Sequence, residues 1–348
     1  MDERRLPESA LMYIVKKLAS LRLTLAGMIL LVVLALIGTR SSAVDVGVTT
    51  LPIAVLVLNL LAAIATNRSF RTQTGLLVFH IGLLLVFVLV GVSVLTRFNG
   101  HVEVVQGSSF DTRDIEVTEQ GWLYDGNLDD VQFVQGDIQV DYLPGLIRQS
   151  TRSTIEFVSA NGVPQRLTIG DSRSVELAGY RLLATFNKGL ALILRWDGND
   201  GDVRYGAVHF PSYPHYDWQQ VTEWLTPAGQ QVEMKIEFAE PVVRANEQWV
   251  LQQPQVPFAV RTSGADMPEV VAHLGESIDV IGGSLRVDDL RMWMAYRVDY
   301  FPYLPWMFAA AMLAIGGLVA HFGSRVLPVK RSDTANSSGV ANVYVAGN

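Results

Sequence analysis

Four stretches of the chain carry no Asp, Glu, Lys or Arg over lengths that can cross a bilayer: Leu23–Thr39, Val46–Asn67, Thr72–Thr96 and Tyr300–Ser324. A spanning helix needs roughly 20 mostly apolar residues, within a range of about 17 to 25. The first stretch is at the short end of that range, and the arginines at both its ends can extend their heads to water. A cleaved signal peptide is the other reading of it. About 20 residues precede the apolar run, and no small-x-small cleavage site follows Ile37-Gly38-Thr39-Arg40, so a retained helix is expected. In the second stretch Pro52 falls near the start, where a helix tolerates proline best.

Between Arg97 and Asp299 the pattern changes to period two. Alternation is clearest from Gln132 to Tyr142 and from Ser153 to Val158. Further strands are expected at Arg166–Ile169, Tyr180–Phe186, Leu190–Trp196, Val203–His209, Val232–Phe238, Phe258–Arg261, Ser284–Val287 and Met292–Val298. Asn161-Gly162, Asp197-Gly198-Asn199-Asp200-Gly201 and Gly282-Gly283 supply turns between them. Two short helices are expected near Tyr216–Leu225 and Met267–Leu274. Strands follow directly on helix three and lead directly into helix four, which predicts a domain held close on the membrane without a stalk.

Composition agrees with a membrane protein that has a soluble part. Hydrophobic residues make up 49% of the 348, and only 18% are charged, against about 25% in an ordinary globular domain. Mean hydropathy is +0.26. Cysteine is absent, which excludes disulfides, thiolate metal sites, a C-x-x-C redox pair and covalent haem attachment on this chain.

Charge sets the orientation. The N-terminal arm (Arg4, Arg5, Lys16, Lys17, Arg22), the link between helices two and three (Arg68, Arg71) and the tail (Arg325, Lys330, Arg331) are basic, whereas Arg97–Asp299 holds 16 basic and 29 acidic residues. The positive-inside rule places both termini in the cytoplasm and the acidic domain outside. So acidic a domain is a poor partner for nucleic acid. The expected fold class is membrane α plus β: four transmembrane helices with a β-rich extracytoplasmic domain, a sandwich or open barrel, between helices three and four. Its boundaries are a basic cytoplasmic arm (1–22), three helices (about 23–39, 46–67 and 72–96), the β-rich domain (97–299), the fourth helix (300–324) and a disordered cytoplasmic tail (325–348).

No P-loop, G-x-S-x-G, H-E-x-x-H or EF-hand pattern occurs. Acid pairs such as Asp129-Asp130 and Asp288-Asp289 read as solvated strand ends rather than a catalytic dyad. The informative residue is His80, about 12 Å into helix three from its cytoplasmic end. A polar ring inside hydrocarbon is costly without a partner and commonly marks a functional path. Neutral imidazole is a ligand for haem iron, and the nearby Gly75, Gly82 and Gly91 leave room for a flat macrocycle or for a close helix neighbour. The other reading of His80 is a hydrogen bond across the bundle to Asn59. His321, near the cytoplasmic end of helix four, falls in the same leaflet and is either a second ligand or an interfacial residue. His101, His209, His215 and His273 fall in the outer domain. His209 and His215 flank a proline-rich aromatic stretch, either a surface loop or a rest for a haem face or a partner. The aromatics from Tyr300 to Trp306 fit an interfacial belt.

Three pieces, in order, carry a family likeness: Lys17-Leu18-Ala19-Ser20-Leu21-Arg22-Leu23-Thr24-Leu25 in helix one; Leu58-Asn59-Leu60-Leu61 in helix two; and Phe79-His80-Ile81-Gly82-Leu83-Leu84-Leu85 followed by Phe98-Asn99-Gly100-His101-Val102-Glu103-Val104-Val105-Gln106-Gly107. Together they resemble the ResB-like (Ccs-type) subunit of the system II cytochrome c maturation machinery. The resemblance implies an accessory subunit that helps carry haem outward and present it for covalent attachment to apocytochrome c. It implies a multi-spanning partner of the CcsA/ResC type, and His80 as one axial ligand of a haem b shared with that partner. No tryptophan-rich haem segment is present, so the chain alone would not be a whole synthetase. Two other functions stay open: a non-enzymatic assembly factor or anchor for a redox complex, and a membrane b-type cytochrome using His80 and His321 together.

Overall fold

The computed structural model describes residues 10–38, 46–159, 161–211, 220–264 and 267–326. The expected tail beyond 326, the first nine residues of the arm and His215 lie outside them. The chain divides into two compact units, Met1–Gly91 with Leu304–Asn348, and Val92–Tyr303.

The first unit is helical: α1 (Ala10–Leu18), α2 (Leu21–Gly38), α3 (Val46–Thr66), α4 (Ser69–Thr72), α5 (Thr74–Thr96) and α6 (Leu304–Val326). Among the described residues, Thr74–Thr96 and Leu304–Gly323 are long and apolar enough to cross a membrane. Met12–Leu18 and Leu21–Ile37 would make a third span if taken together, but they are bent by 48°, and the apolar helix over Thr50–Thr66 is shorter. Not all four expected spans are therefore recovered. The first apolar run is continued backward by α1 through a break, and the third begins at Thr74 rather than Thr72, because Thr72 closes the short α4.

The break between α1 and α2 is held from α3. Asn59, 4% exposed, donates through Nδ2 to the carbonyl oxygens of Leu18 (2.5 Å) and Ser20 (3.1 Å), and its Oδ1 accepts from Thr24 Oγ1 (2.7 Å). A helix end leaves carbonyls without intrahelical donors, and in hydrocarbon these must be satisfied internally. The buried amide of Asn59 does this for Leu18, while Ser20, whose carbonyl already accepts from the Leu23 and Thr24 N–H groups, takes a further bond.

The second unit is built from antiparallel strands. The largest sheet has seven strands and the order β2 (Glu116–Gln120), β1 (Phe98–Val105), β15 (Gly283–Tyr300), β7 (Tyr180–Gly198), β6 (Val175–Leu177), with β14 (Ser277–Val280) also on β15 and β8 (Val203–Pro211) also on β7. A four-stranded sheet runs β13 (Met267–His273), β12 (Phe258–Gly264), β10 (Gln231–Phe238), β9 (Val221–Leu225). Another runs β11 (Trp249–Leu251), β3 (Val134–Leu143), β4 (Ile147–Val158), β5 (Pro164–Gly170). All three sheets feed one hydrophobic core that includes Tyr142, Leu192, Val232, Ile155 and Met294. The sequence suggests a two-layer sandwich or an open barrel; the structure has three sheets around that core.

The helices expected near Tyr216–Leu225 and Met267–Leu274 are absent among the described residues. Val221–Leu225 and Met267–His273 are strands. The adjacent β-branched pairs Val221-Thr222 and Val270-Val271 pair with β10 and β12, and Pro268 suits a strand at the sheet's edge.

Two buried polar features stand out. Tyr296 donates to Gln135 Oε1 (2.7 Å), Gln135 Nε2 donates to Ser153 Oγ (2.7 Å), and the Ser153 and Tyr296 hydroxyls are 2.5 Å apart. This closed triangle joins β15 to β3 and β4 with every member paired, which favours one register over its neighbours. The other feature is Lys188, 2% exposed. It follows a bulge where the β15–β7 ladder slips between Tyr296↔Ala184 and Met294↔Lys188.

Candidate functional site

His80 stands six residues into α5, about 9 Å from its first residue. Its Nδ1 lies 2.8 Å from the carbonyl oxygen of Leu76, one turn back. A carbonyl only accepts, so Nδ1 carries the hydrogen and Nε2 keeps the lone pair. No hydrogen-bond partner for Nε2 is found among the described residues. Phe70 of α4 sits over the ring at 4.5 Å between centroids, and Phe79 meets it edge-on at 4.9 Å. The ring is half-buried. This is not the Asn59 hydrogen bond: Asn59 is engaged at the α1–α2 break.

The glycines of α5 admit a close helix neighbour. A Cβ at Gly75 would lie 2.6 Å from the backbone nitrogen of His321, and one at Gly82 would lie 2.5 Å from that of Ala314. On the other side of the contact, Gly317 lies against the backbone of Phe79. α5 and α6 therefore run antiparallel with backbones nearly touching, as small residues permit. The space beside Gly75 and Gly82 is filled by α6.

His321 is thereby placed at Gly75. At about 100° per residue, His80 lies about 140° around α5 from Gly75, on a different side from the α6 contact. Gly91, about 160° around, meets Ile53 of α3. His80 thus points to the side taken by α3 and α4, and His321 packs its own ring against Phe322 at 5.1 Å.

In the second unit, His209 on β8 pairs through Nδ1 with Glu103 of β1 at 2.5 Å and stacks on Trp293 of β15 at 4.8 Å, nearly parallel. Trp293 is itself fixed by an Nε1–H bond to the Phe210 carbonyl oxygen. His209 and Glu103 face a cavity of about 680 Å³ shared with His101, Asp111, Asp114 and Glu116. The sequence singles out His101 and His209 but not this meeting, because β1 and β8 are brought together only by long-range pairing through β15 and β7. His273 is exposed and pairs with Glu276. Among the described residues no three His, Asp or Glu side chains converge to hold a metal ion.

His80 fits the donor chemistry of an axial ligand. Metal-binding histidines commonly fix one ring nitrogen through an N–H bond to a carbonyl or carboxylate and ligate with the other. Compared with known proteins, residues 59–170 match the ResB-like family. The matched stretch begins at Asn59, passes through His80 and ends with β5. No curated protein matches the chain.

Proposed function

We propose, starting from the ResB-like match, that the chain is an accessory membrane subunit of a cytochrome c synthetase that helps carry haem outward and present it to apocytochrome c. What supports the reading most directly is His80, inside the matched stretch, with its Nδ1–H spent on Leu76 and its Nε2 lone pair left over. In this reading His80 is one axial ligand to a haem b, and the second comes from a multi-spanning partner of the CcsA/ResC type. His321 takes no part in this reading, because the α6 backbone at His321 meets α5 at Gly75, about 140° around the helix from His80. When bound, haem supplies the group that becomes attached to the apocytochrome. The chain's own contribution is to orient one imidazole, through the Leu76 carbonyl and the Phe70 ring, within an apolar helix. The β-rich unit then faces the outside of a bacterial inner membrane, where apocytochrome c is met, and both termini are cytoplasmic.

The test is an absorption spectrum of the chain purified from membranes with its co-purifying partner. The expected result is a low-spin haem spectrum that His80→Ala weakens and that added imidazole restores. Haem content and spectrum unchanged in His80→Ala would overturn the ligand role.

A further inference from the structure

The loop after β2 is tied to the outer end of α5. Leu123 N–H donates to the carbonyl oxygen of Leu95 (2.8 Å), and Gly121 N–H donates to that of Arg97 (2.9 Å). These bonds satisfy carbonyls that the helix end leaves open. Gly121 is required for the approach: a Cβ there would collide with the Leu95 carbonyl. Tyr124 braces the loop from behind, stacked on Phe98 at 5.2 Å and edge-on to Tyr300 at 5.7 Å. With Tyr124 turned inward, Trp122 and Leu123 turn outward, 69% and 61% exposed.

Two large apolar side chains are thus held rigidly in the open, within one turn of the end of an apolar helix. α5 has 23 residues and is about 35 Å long, against a hydrocarbon core of about 30 Å. Leu95 lies about 32 Å from the helix start, so with its cytoplasmic end at one boundary, the carbonyl that anchors Leu123 lies at the other. Tryptophan at that level has its ring in the apolar boundary and its N–H toward headgroups. Arg97, paired with Glu119, provides the charged shoulder just above.

We infer that Trp122 and Leu123 form a lipid-dipping wedge, which seats the foot of the outer unit in the headgroup–acyl boundary of the outer leaflet. The partner of this surface is the bilayer, not another protein. The wedge sets the height of β1 and β15 against the membrane through backbone hydrogen bonds.

The chain has no cysteine, so single labels are clean. Trp122→Cys and Leu123→Cys are spin-labelled in the full chain, reconstituted in phosphatidylethanolamine/phosphatidylglycerol vesicles. Two further positions serve as references: Val88→Cys, partly exposed on α5, and Ile281→Cys, in the turn between β14 and β15 at the far end of β15. Collision with oxygen, which concentrates in lipid, is compared with collision with a water-soluble nickel chelate. The expected result is oxygen favoured severalfold at 122 and 123 relative to 281, approaching the value at 88. Labels at 122 and 123 that match 281 would overturn the wedge while leaving the span intact. Low access to both reagents would mean protein cover and would overturn it equally.

Discussion

Replacing Lys188 with methionine should make the protein more stable at neutral pH. The ammonium is on a side chain only 2% exposed, and among the described residues it donates to the Phe186 carbonyl oxygen at 3.0 Å. Burial pulls its pKa from the usual 10.5 down to about 8; Arg148 pulls the same way and Asp171 opposes both. At about 1.4 kcal/mol per pH unit, holding the charged form in place costs roughly 3 kcal/mol. Methionine keeps an apolar stem and gives up the bond to Phe186, worth about 1 kcal/mol, so the expected net gain at pH 7 is about 2 kcal/mol. The pH dependence has a definite sign. The folded pKa lies below the unfolded one, so from pH 8 to 10.5 the unfolded chain holds the extra proton. Stability therefore rises with pH across that window, by on the order of 1 kcal/mol per unit. Tyr142, Tyr180 and Tyr296 are pushed the other way by burial, and the stability they lend is lost only once pH exceeds the ordinary tyrosine value. Denaturant unfolding of the full chain in detergent, followed by tryptophan fluorescence at pH 7, 8, 9 and 10, reads both quantities. A Lys188→Met protein no more stable at pH 7, with the same slope as wild type from pH 8 to 10, would refute the reasoning.

Tyr296→Phe removes the donor to Gln135 Oε1 inside the core; leaving that oxygen unpaired should lower stability by about 1 to 3 kcal/mol, read in the same unfolding assay, whereas no loss would mean the triangle contributes nothing. Gly82→Leu places a side chain where the Ala314 backbone lies, so α5 and α6 should separate; overpacking of this kind costs about 1 to 3 kcal/mol, read as an earlier midpoint in the same unfolding assay, and an unchanged midpoint would mean that the close contact is not made.

Much of the outer domain was legible because half-buried strands alternate, as in β3, β4 and β10. The two longest strands were each read as two. In β7 the bulge before Lys188 interrupts the period, and in β15 the slip between Val287 and Asp289 does the same. β9 and β13 were read as helices, since short apolar segments carry little periodicity and only pairing with β10 and β12 decides them. In the helical unit the apolar runs located the helices but not the bend at Ala19-Ser20, which no proline or glycine marks. For that reason the sequence offers Asn59 only as one alternative partner of His80, and not as the donor to the carbonyls that it meets. Gly75 and Gly82 pointed correctly to close approach, but only the structure shows that α6 fills the space. The Leu76 partner of His80 was missed although helix geometry brings that carbonyl within reach of the ring.

Phe98 and Tyr300 are cross-strand partners on β1 and β15, two residues after α5 ends and four residues before α6 begins. A two-hundred-residue excursion thus returns to within about 5 Å of where it departed. An excursion that closes on itself in this way can change in size and contents without changing the separation of its two ends. Elaboration of the β-rich unit is thus uncoupled from the helical segment that carries His80.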